Sequence, residues 1–316
     1  MGNTNNHQLK IYQFIDSSRV RNVDYINSLI NCNAIICFDL EDSIQSDTNI
    51  YPHIRTSILT DISELICNNN ISEIGIRINS SRSEHYQEDI YRISKLINEY
   101  CHINFFLPKV STSSDLIKTN NAIHSNKIQK FEIIPIIESK IGMRNLRDIL
   151  LIKSLGISKI AFGHCDYNLD CDYFPFYHQD SNEYWNWVNN LISACGNEII
   201  FLNSPYLNLN DDSSLLKILS QLKTFNNKVA QITLSLRQSK VCENFNQNDY
   251  QLITKSKLLN RPNNVIEYAK YFIENFNKFK IDGKNFALIP KIKELLSPQE
   301  YAKATEIIRV IDEIKT

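Results

Sequence analysis

The hydrophobic positions of this chain come as short apolar runs separated by segments of helical period. The run 133–137 has no polar alternation, and 160–162 repeats that pattern one unit later. Unbroken runs of this length mark strands buried on both faces. The same reading predicts strands at 11–15, 34–38, 74–79, 103–109, 198–202 and 228–234, and helices over 20–30, 54–67, 84–100, 143–151, 185–195 and 213–225, with a further helix starting at 113–115. Asp16-Ser17-Ser18 is a candidate cap for the first helix. Strand, short loop and helix in regular alternation predict parallel strands with helical crossovers. Eight such strands favour an α/β fold closed as a TIM (β/α)8 barrel. Past residue 234 the rhythm changes to a helix over 265–276, opened by Arg261-Pro262-Asn263, a turn signal at Asp282-Gly283-Lys284 and an amphipathic helix over 298–314. The expected organisation is a disordered tail over 1–9, the barrel over 10–240 and a C-terminal helical extension over 241–316, placed at a subunit interface.

Charged residues cluster where the strands end. Glu138 follows the run 133–137, and His164-Cys165-Asp166 follow 160–163. In a parallel barrel that end of the strands carries the active site. Two carboxylates converging there suit a hard divalent cation, Mg²⁺ or Mn²⁺, which keeps waters and leaves room for an oxygen-rich substrate. Each acid alone reads equally well as a helix cap. Arg77 and the acids of 39–42 at neighbouring strand ends tip the balance to a metal site. Lys109 reads equally as a rim lysine. His164, Cys165 and Cys171 match no standard zinc spacing, and Cys165 has no identifiable base. The aromatic stretch 173–177, with Trp185 and Trp187, reads as packing in a long loop rather than a nucleotide-stacking platform, with closure over the site as a lid the alternative. His53, His85, His102, His124 and His178 form no pattern in the sequence.

Composition narrows the class. The 316 residues are 43% hydrophobic and 22% charged, with a formal net charge of -1. That is the balance of a globular protein and argues against nucleic acid or an anionic membrane as partner. Residues 1–8 have no apolar core, so no signal peptide is expected, and no apolar run reaches bilayer length. The eight scattered cysteines form no Cys-x-x-Cys pair, the usage expected of reduced thiols in a cytoplasmic protein.

Five motifs in order carry a family resemblance: Asp39-Leu40-Glu41-Asp42, Arg77-Ile78-Asn79, Leu107-Pro108-Lys109, Glu138 with Gly142, and Phe162-Gly163-His164-Cys165-Asp166. Each sits at a predicted strand end. The chain resembles the HpcH/HpaI aldolase and citrate lyase beta subunit family, which includes malyl-CoA and citramalyl-CoA lyases. The resemblance implies a Mg²⁺-dependent carbon–carbon lyase or aldolase acting on a small 2-oxo acid, with Glu138 and Asp166 as metal ligands. It implies Arg77 facing the developing negative charge, with Glu41 and Asp42 supporting it. Backbone N–H groups of Gly163, His164 and Cys165 would bind the keto-acid carboxylate, and Pro205 would line the substrate. A coenzyme A thioester as second partner and a homotrimer or hexamer are further implications.

Several positions depart from the family pattern. Lys10 stands where an arginine is usual, Asp24 where a lysine is expected, Ser235-Leu236 where His-Pro would follow strand eight, and Ala287 in place of an acid. These losses leave the keto-acid half intact and bear on the coenzyme A half. The rival readings are a CoA-independent aldolase, a non-catalytic barrel, and a thioesterase-like hydrolase on the same scaffold.

Overall fold

The computed structural model describes residues 9–15, 19–41, 51–97, 101–152, 155–225, 228–245, 264–282 and 284–315. Asp42, the tail 1–8, the Asp16-Ser17-Ser18 cap, Arg261-Pro262-Asn263 and Gly283 lie outside them. Elements run β1 (Lys10–Ile15), α1 (Val23–Asn31), β2 (Ala34–Asp39), α2 (Tyr51–Asn69), β3 (Glu73–Arg77), α3 (Tyr86–Leu96), β4 (His102–Leu107), α4 (Ser113–Ser125), β5 (Phe131–Ile137), α5 (Lys140–Arg144), α6 (Leu146–Leu150) and β6 (Lys159–Phe162). They continue with α7 (His164–Asp170), α8 (Asn182–Cys195), β7 (Ile200–Asn203), α9 (Asp212–Lys223), β8 (Val229–Thr233), α10 (Leu236–Glu243), α11 (Val265–Phe279), β9 (Ala287–Ile289), β10 (Glu294–Leu296) and α12 (Pro298–Lys315). Strands β1 to β8 pair in parallel, in sequence order, and β1 closes on β8. The expected (β/α)8 barrel is the fold.

Strand side chains alternate between lumen and helix layer. Tyr12, Cys37, Phe106, Ile134, Ile136, Ala161, Leu202, Ala230 and Ile232 fill the lumen. Their in-between neighbours, among them Ile11, Ile36, Phe38, Ile74, Ile76, Phe105, Ile133 and Ile160, pack under the helices in a larger core. The lumen parity carries upward to Asp39, Arg77 and Glu138 and downward to Glu73, Glu132 and Lys159.

Three departures from the expected elements have local causes. The helix expected over 143–151 is split into α5 and α6 at Asn145, which caps the first and whose side chain donates to the Ser111 carbonyl at 2.9 Å. Side-chain amides that bond to the backbone compete with helix continuation in this way. Helix α3 stops at Leu96 because Ile97 is extended, with φ -90 and ψ 134. The C-terminal extension contains a two-stranded antiparallel hairpin, β9 and β10, besides its helices. That hairpin and helices α11 and α12 share a core of Tyr268, Ala269, Phe272, Phe276, Ile289, Leu296 and Ala304. The extension seats on the barrel of its own chain, with α12 against α7.

Candidate active site at the carboxyl end of the barrel

Asp39 and Arg77 are the last residues of β2 and β3 and are direct partners in the parallel register. Arg77 donates through Nε and Nη2 to the two carboxylate oxygens of Asp39, both at 2.7 Å. This fork-to-fork geometry fixes the guanidinium plane. Nη1 of Arg77 lies 3.3 Å from Glu41 Oε2, and Lys109 Nζ lies 2.9 Å from Glu41 Oε1. Lys109 follows β4 with φ 56, a left-handed conformation uncommon for a side-chain-bearing residue. Its backbone N–H donates to Glu138 Oε1 at 2.6 Å.

Glu138 follows β5 and is only 5% exposed. It does not cap the next helix; Ser139 does, accepting from the Gly142 N–H at 3.0 Å. Desolvation raises the Glu138 pKa well above the usual carboxylate value. The charges of Asp166 and Glu41 push the same way, against Arg77 and the Lys109 N–H. Asp166 stands in the first turn of α7, whose cap is Gly163. A Cβ on Gly163 would lie 2.4 Å from Glu138 Oε2 and 2.8 Å from Glu138 Cβ. Only glycine lets the β6–α7 turn pass this close to the carboxylate. Gly142 has the same role toward the Val110 carbonyl, 2.4 Å from where its Cβ would be.

The expected residues Glu41, Arg77, Glu138 and Asp166 therefore form one group with Lys109, and Gly163 forms its floor. Asp42 lies outside the described residues. Pro205 follows β7 on the same rim, and its carbonyl accepts from Gln179 Nε2 at 3.1 Å. The His164 side chain turns away from the rim acids. It is 2% exposed and its Nε2 lies 3.0 Å from His178 Nδ1 and 3.6 Å from Cys165 Sγ. Burial pushes the Cys165 thiol well up, which makes it a poor nucleophile. Trp187 packs among Phe162, Tyr167, Tyr173 and Tyr177, so the aromatic stretch is a joint beside α7. All eight cysteines are free.

Three residues of this region were given no individual role in the sequence reading. Asp39 was legible, since strand parity and register put it opposite Arg77. His178 and Glu300 were not: Glu300 Oε2 reaches His178 Nε2 at 3.3 Å across 122 positions.

The donor chemistry fits a divalent cation. A nearly buried carboxylate, destabilised as an anion beside a second one, is relieved by a positive ion. Among the described residues no group of three or more His, Cys, Asp and Glu is arranged to hold a metal, so Glu138 and Asp166 would share the ion with water or substrate oxygens, as Mg²⁺ tolerates.

A (β/α)8 barrel with an arginine among carboxylates at its C-terminal rim defines the class: a barrel with an acidic, cation-compatible site at the face where such folds carry catalysis. The chain belongs to the HpcH/HpaI aldolase/citrate lyase family, whose description matches residues 27–223. That membership brings lyase- or aldolase-type catalysis. No curated protein matches the sequence. Among solved structures, the chain is similar to a Haloferax volcanii malate synthase in a pyruvate/acetyl-CoA ternary complex, at 15% identity and TM-score 0.70, over 98% of this chain and 93% of that one. It is similar to a citrate lyase from Burkholderia xenovorans LB400 at 12% identity and TM-score 0.63, over 97% and 92%. A Mycobacterium tuberculosis citrate lyase beta subunit complexed with oxaloacetate and magnesium aligns at 14% identity and TM-score 0.56, over 75% and 96%. At these identities the likeness is one of fold, and for the first two it includes the C-terminal extension. No described helix is long and apolar enough to cross a membrane.

Proposed function

We propose that this protein is a Mg²⁺-dependent carbon–carbon lyase or aldolase that makes or breaks a bond to a small 2-oxo acid. The observation that carries the reading is Glu138, buried with a raised pKa beside Asp166 on the rim that also holds Arg77. Relatives in fold bind such ligands: one was solved with oxaloacetate and magnesium, another with pyruvate and acetyl-CoA.

Glu138 and Asp166 would hold the cation, which when bound polarises a keto oxygen and orients the 2-oxo acid. Arg77 faces the oxygen on which negative charge develops as the bond breaks. Asp39 and Glu41 hold its guanidinium in place before substrate arrives, so little reorganisation is needed at the moment of reaction. The Lys109 N–H keeps Glu138 oriented. Backbone N–H groups at the start of α7, from His164 and Cys165, take the substrate carboxylate; the Gly163 N–H, expected beside them, donates instead to the Ile137 carbonyl at 3.0 Å, and Gly163 keeps that turn against Glu138.

The test is a binding titration of pyruvate, oxaloacetate and glyoxylate, each with and without Mg²⁺, on the parent protein and on Glu138→Gln and Asp166→Asn. Metal-dependent binding of a keto acid by the parent, lost in both variants, is expected. Its absence for every keto acid returns the non-catalytic barrel. Repeating the titration with acetyl-CoA separates the acyl-CoA lyase from the CoA-independent aldolase. The positions that bear on it have structural employment here. Asp24 lies in the first turn of α1, Ser235 caps α10 by accepting from the Gln238 N–H, and Ala287 is fully buried.

A further inference from the structure

The C-terminal extension reaches the rim through one turn of helix. Ser297 caps α12, its Oγ accepting from the Glu300 N–H at 3.2 Å, and Pro298 opens the helix with a fixed φ. Positions 299, 300 and 303 then face α7 and the loop after it. Glu300 is 2% exposed; it accepts from Tyr268 Oη at 3.0 Å and from the Phe176 N–H at 3.3 Å, and meets His178 at 3.3 Å. Lys303 pairs with Asp172 beyond α7 and with Glu306 at 2.8 Å. Charges are buried at such a seam only when partnered, so the seam sets where α12 begins. At that place Gln299 Nε2 donates to Asp166 Oδ2 at 3.1 Å.

We propose that Gln299 is a positioning residue for Asp166, so that the tail of the same chain completes the cation site. The inference rests on the reading of Glu138 and Asp166 as metal ligands. A carboxamide suits the role. It orients the carboxylate as a neutral donor, whereas a lysine there would cancel the charge and compete with the ion. Carboxylates that hold metals are themselves hydrogen-bonded, and their outer partners govern affinity. Ala287, the extension residue that would carry an acid in relatives, is packed in the extension's own core opposite Leu296. The extension acts on the site through Gln299 instead.

The experiment is a Mn²⁺ titration of the full chain without substrate, followed by calorimetry, with thermal melts of the metal-free proteins. Gln299→Ala is expected to weaken Mn²⁺ binding on the order of 10-fold to 100-fold while the metal-free Tm stays unchanged, because the position is half-buried and alanine favours the helix. Gln299→Asn, which keeps the carboxamide, recovers part of the affinity. Parent-like affinity in Gln299→Ala, or a loss that asparagine does not recover, overturns the assignment. Glu138→Gln run in parallel separates the two readings. If it loses Mn²⁺ while Gln299→Ala does not, only the positioning role falls. If it binds Mn²⁺ as the parent does, the cation site itself falls and the inference with it.

Discussion

The two ends of the barrel lumen hold similar side chains in opposite states. At the amino end, Lys159 is 6% exposed and pairs with Glu132, while its Nζ reaches Asn104 Oδ1 at 3.2 Å. Asn104 donates in turn to Glu73 at 2.9 Å. A buried lysine and an amide bridge the two acids, and the layer is a lock. At the carboxyl end, among the described residues, Asp39, Glu41, Glu138 and Asp166 stand with Arg77 and Lys109, four acids to two bases. The surplus falls on Glu138, the most buried of them. Between the two ends the lumen is filled by Tyr12, Cys37, Phe106 and aliphatic side chains. A nearly buried carboxylate whose close neighbours are further carboxylates marks the end built to receive something. At the lower end each acid is met by a buried side-chain donor, Lys159 for Glu132 and Asn104 for Glu73, which marks an end built to stay shut.

Breaking the upper end should have the largest effect on turnover. Glu138→Gln keeps the side-chain shape and the bond from Lys109, removes the charge proposed to hold the cation, and is expected to abolish Mg²⁺-dependent cleavage in a coupled assay. Arg77→Lys loses the fork that Asp39 grips and the geometry facing the substrate. A fall in kcat of roughly 10²- to 10³-fold is expected. Asp39→Asn leaves Arg77 in place but loosened, with kcat down on the order of 10-fold to 100-fold by analogy with outer partners of metal sites. Lys159→Met at the lower end should leave kcat and KM alone. Its cost is stability, about 1–3 kcal/mol for leaving the partly buried Glu132 with only the Ser158 hydroxyl as donor, read by denaturant unfolding. If Lys159→Met moved kcat as much as Asp39→Asn does, the contrast between the two ends would be wrong.

The same surplus predicts a pH dependence, smaller in size. The metal-free folded state holds the Glu138 proton more tightly than the unfolded chain, whose value is near 4.5. Folded protein thus binds more protons than unfolded between 4.5 and the raised pKa. Stability should decline as pH rises through that window. Cation binding must expel the proton, so affinity should fall as pH drops through the raised value. Melting curves of metal-free parent and Glu138→Gln across pH test this: the variant should lack the decline and be the more stable of the two at neutral pH, the trade of stability for function expected at a binding site.

Much of this was legible along the chain because barrels write their geometry in short range. Strand parity is two and the unit repeat is one strand and one helix. Residues at successive strand ends must therefore meet, and Arg77, Glu138 and Asp166 followed from that. Asp39 follows from the same register, since it pairs with Arg77 directly. Reading 39–42 as one acidic motif blurred which acid faces the lumen. Helix boundaries were less legible where a side chain competes with the backbone, as at Asn145. The hairpin of β9 and β10 was missed because its strands are three residues each, too short for alternation to register.

The sequence by itself determined the barrel, the rim where its charged side chains gather and the residues that converge there. These depend on period and register, which are local properties repeated eight times. Only the tertiary structure decided the charge state of that rim and what frames it. The raised pKa of Glu138 comes from burial and from acids that follow other strands. The contacts of Gln299 with Asp166 and of Glu300 with His178 join positions 133 and 122 residues apart. No periodicity spans such distances; they are set by how one packed core, the extension, comes to rest upon another.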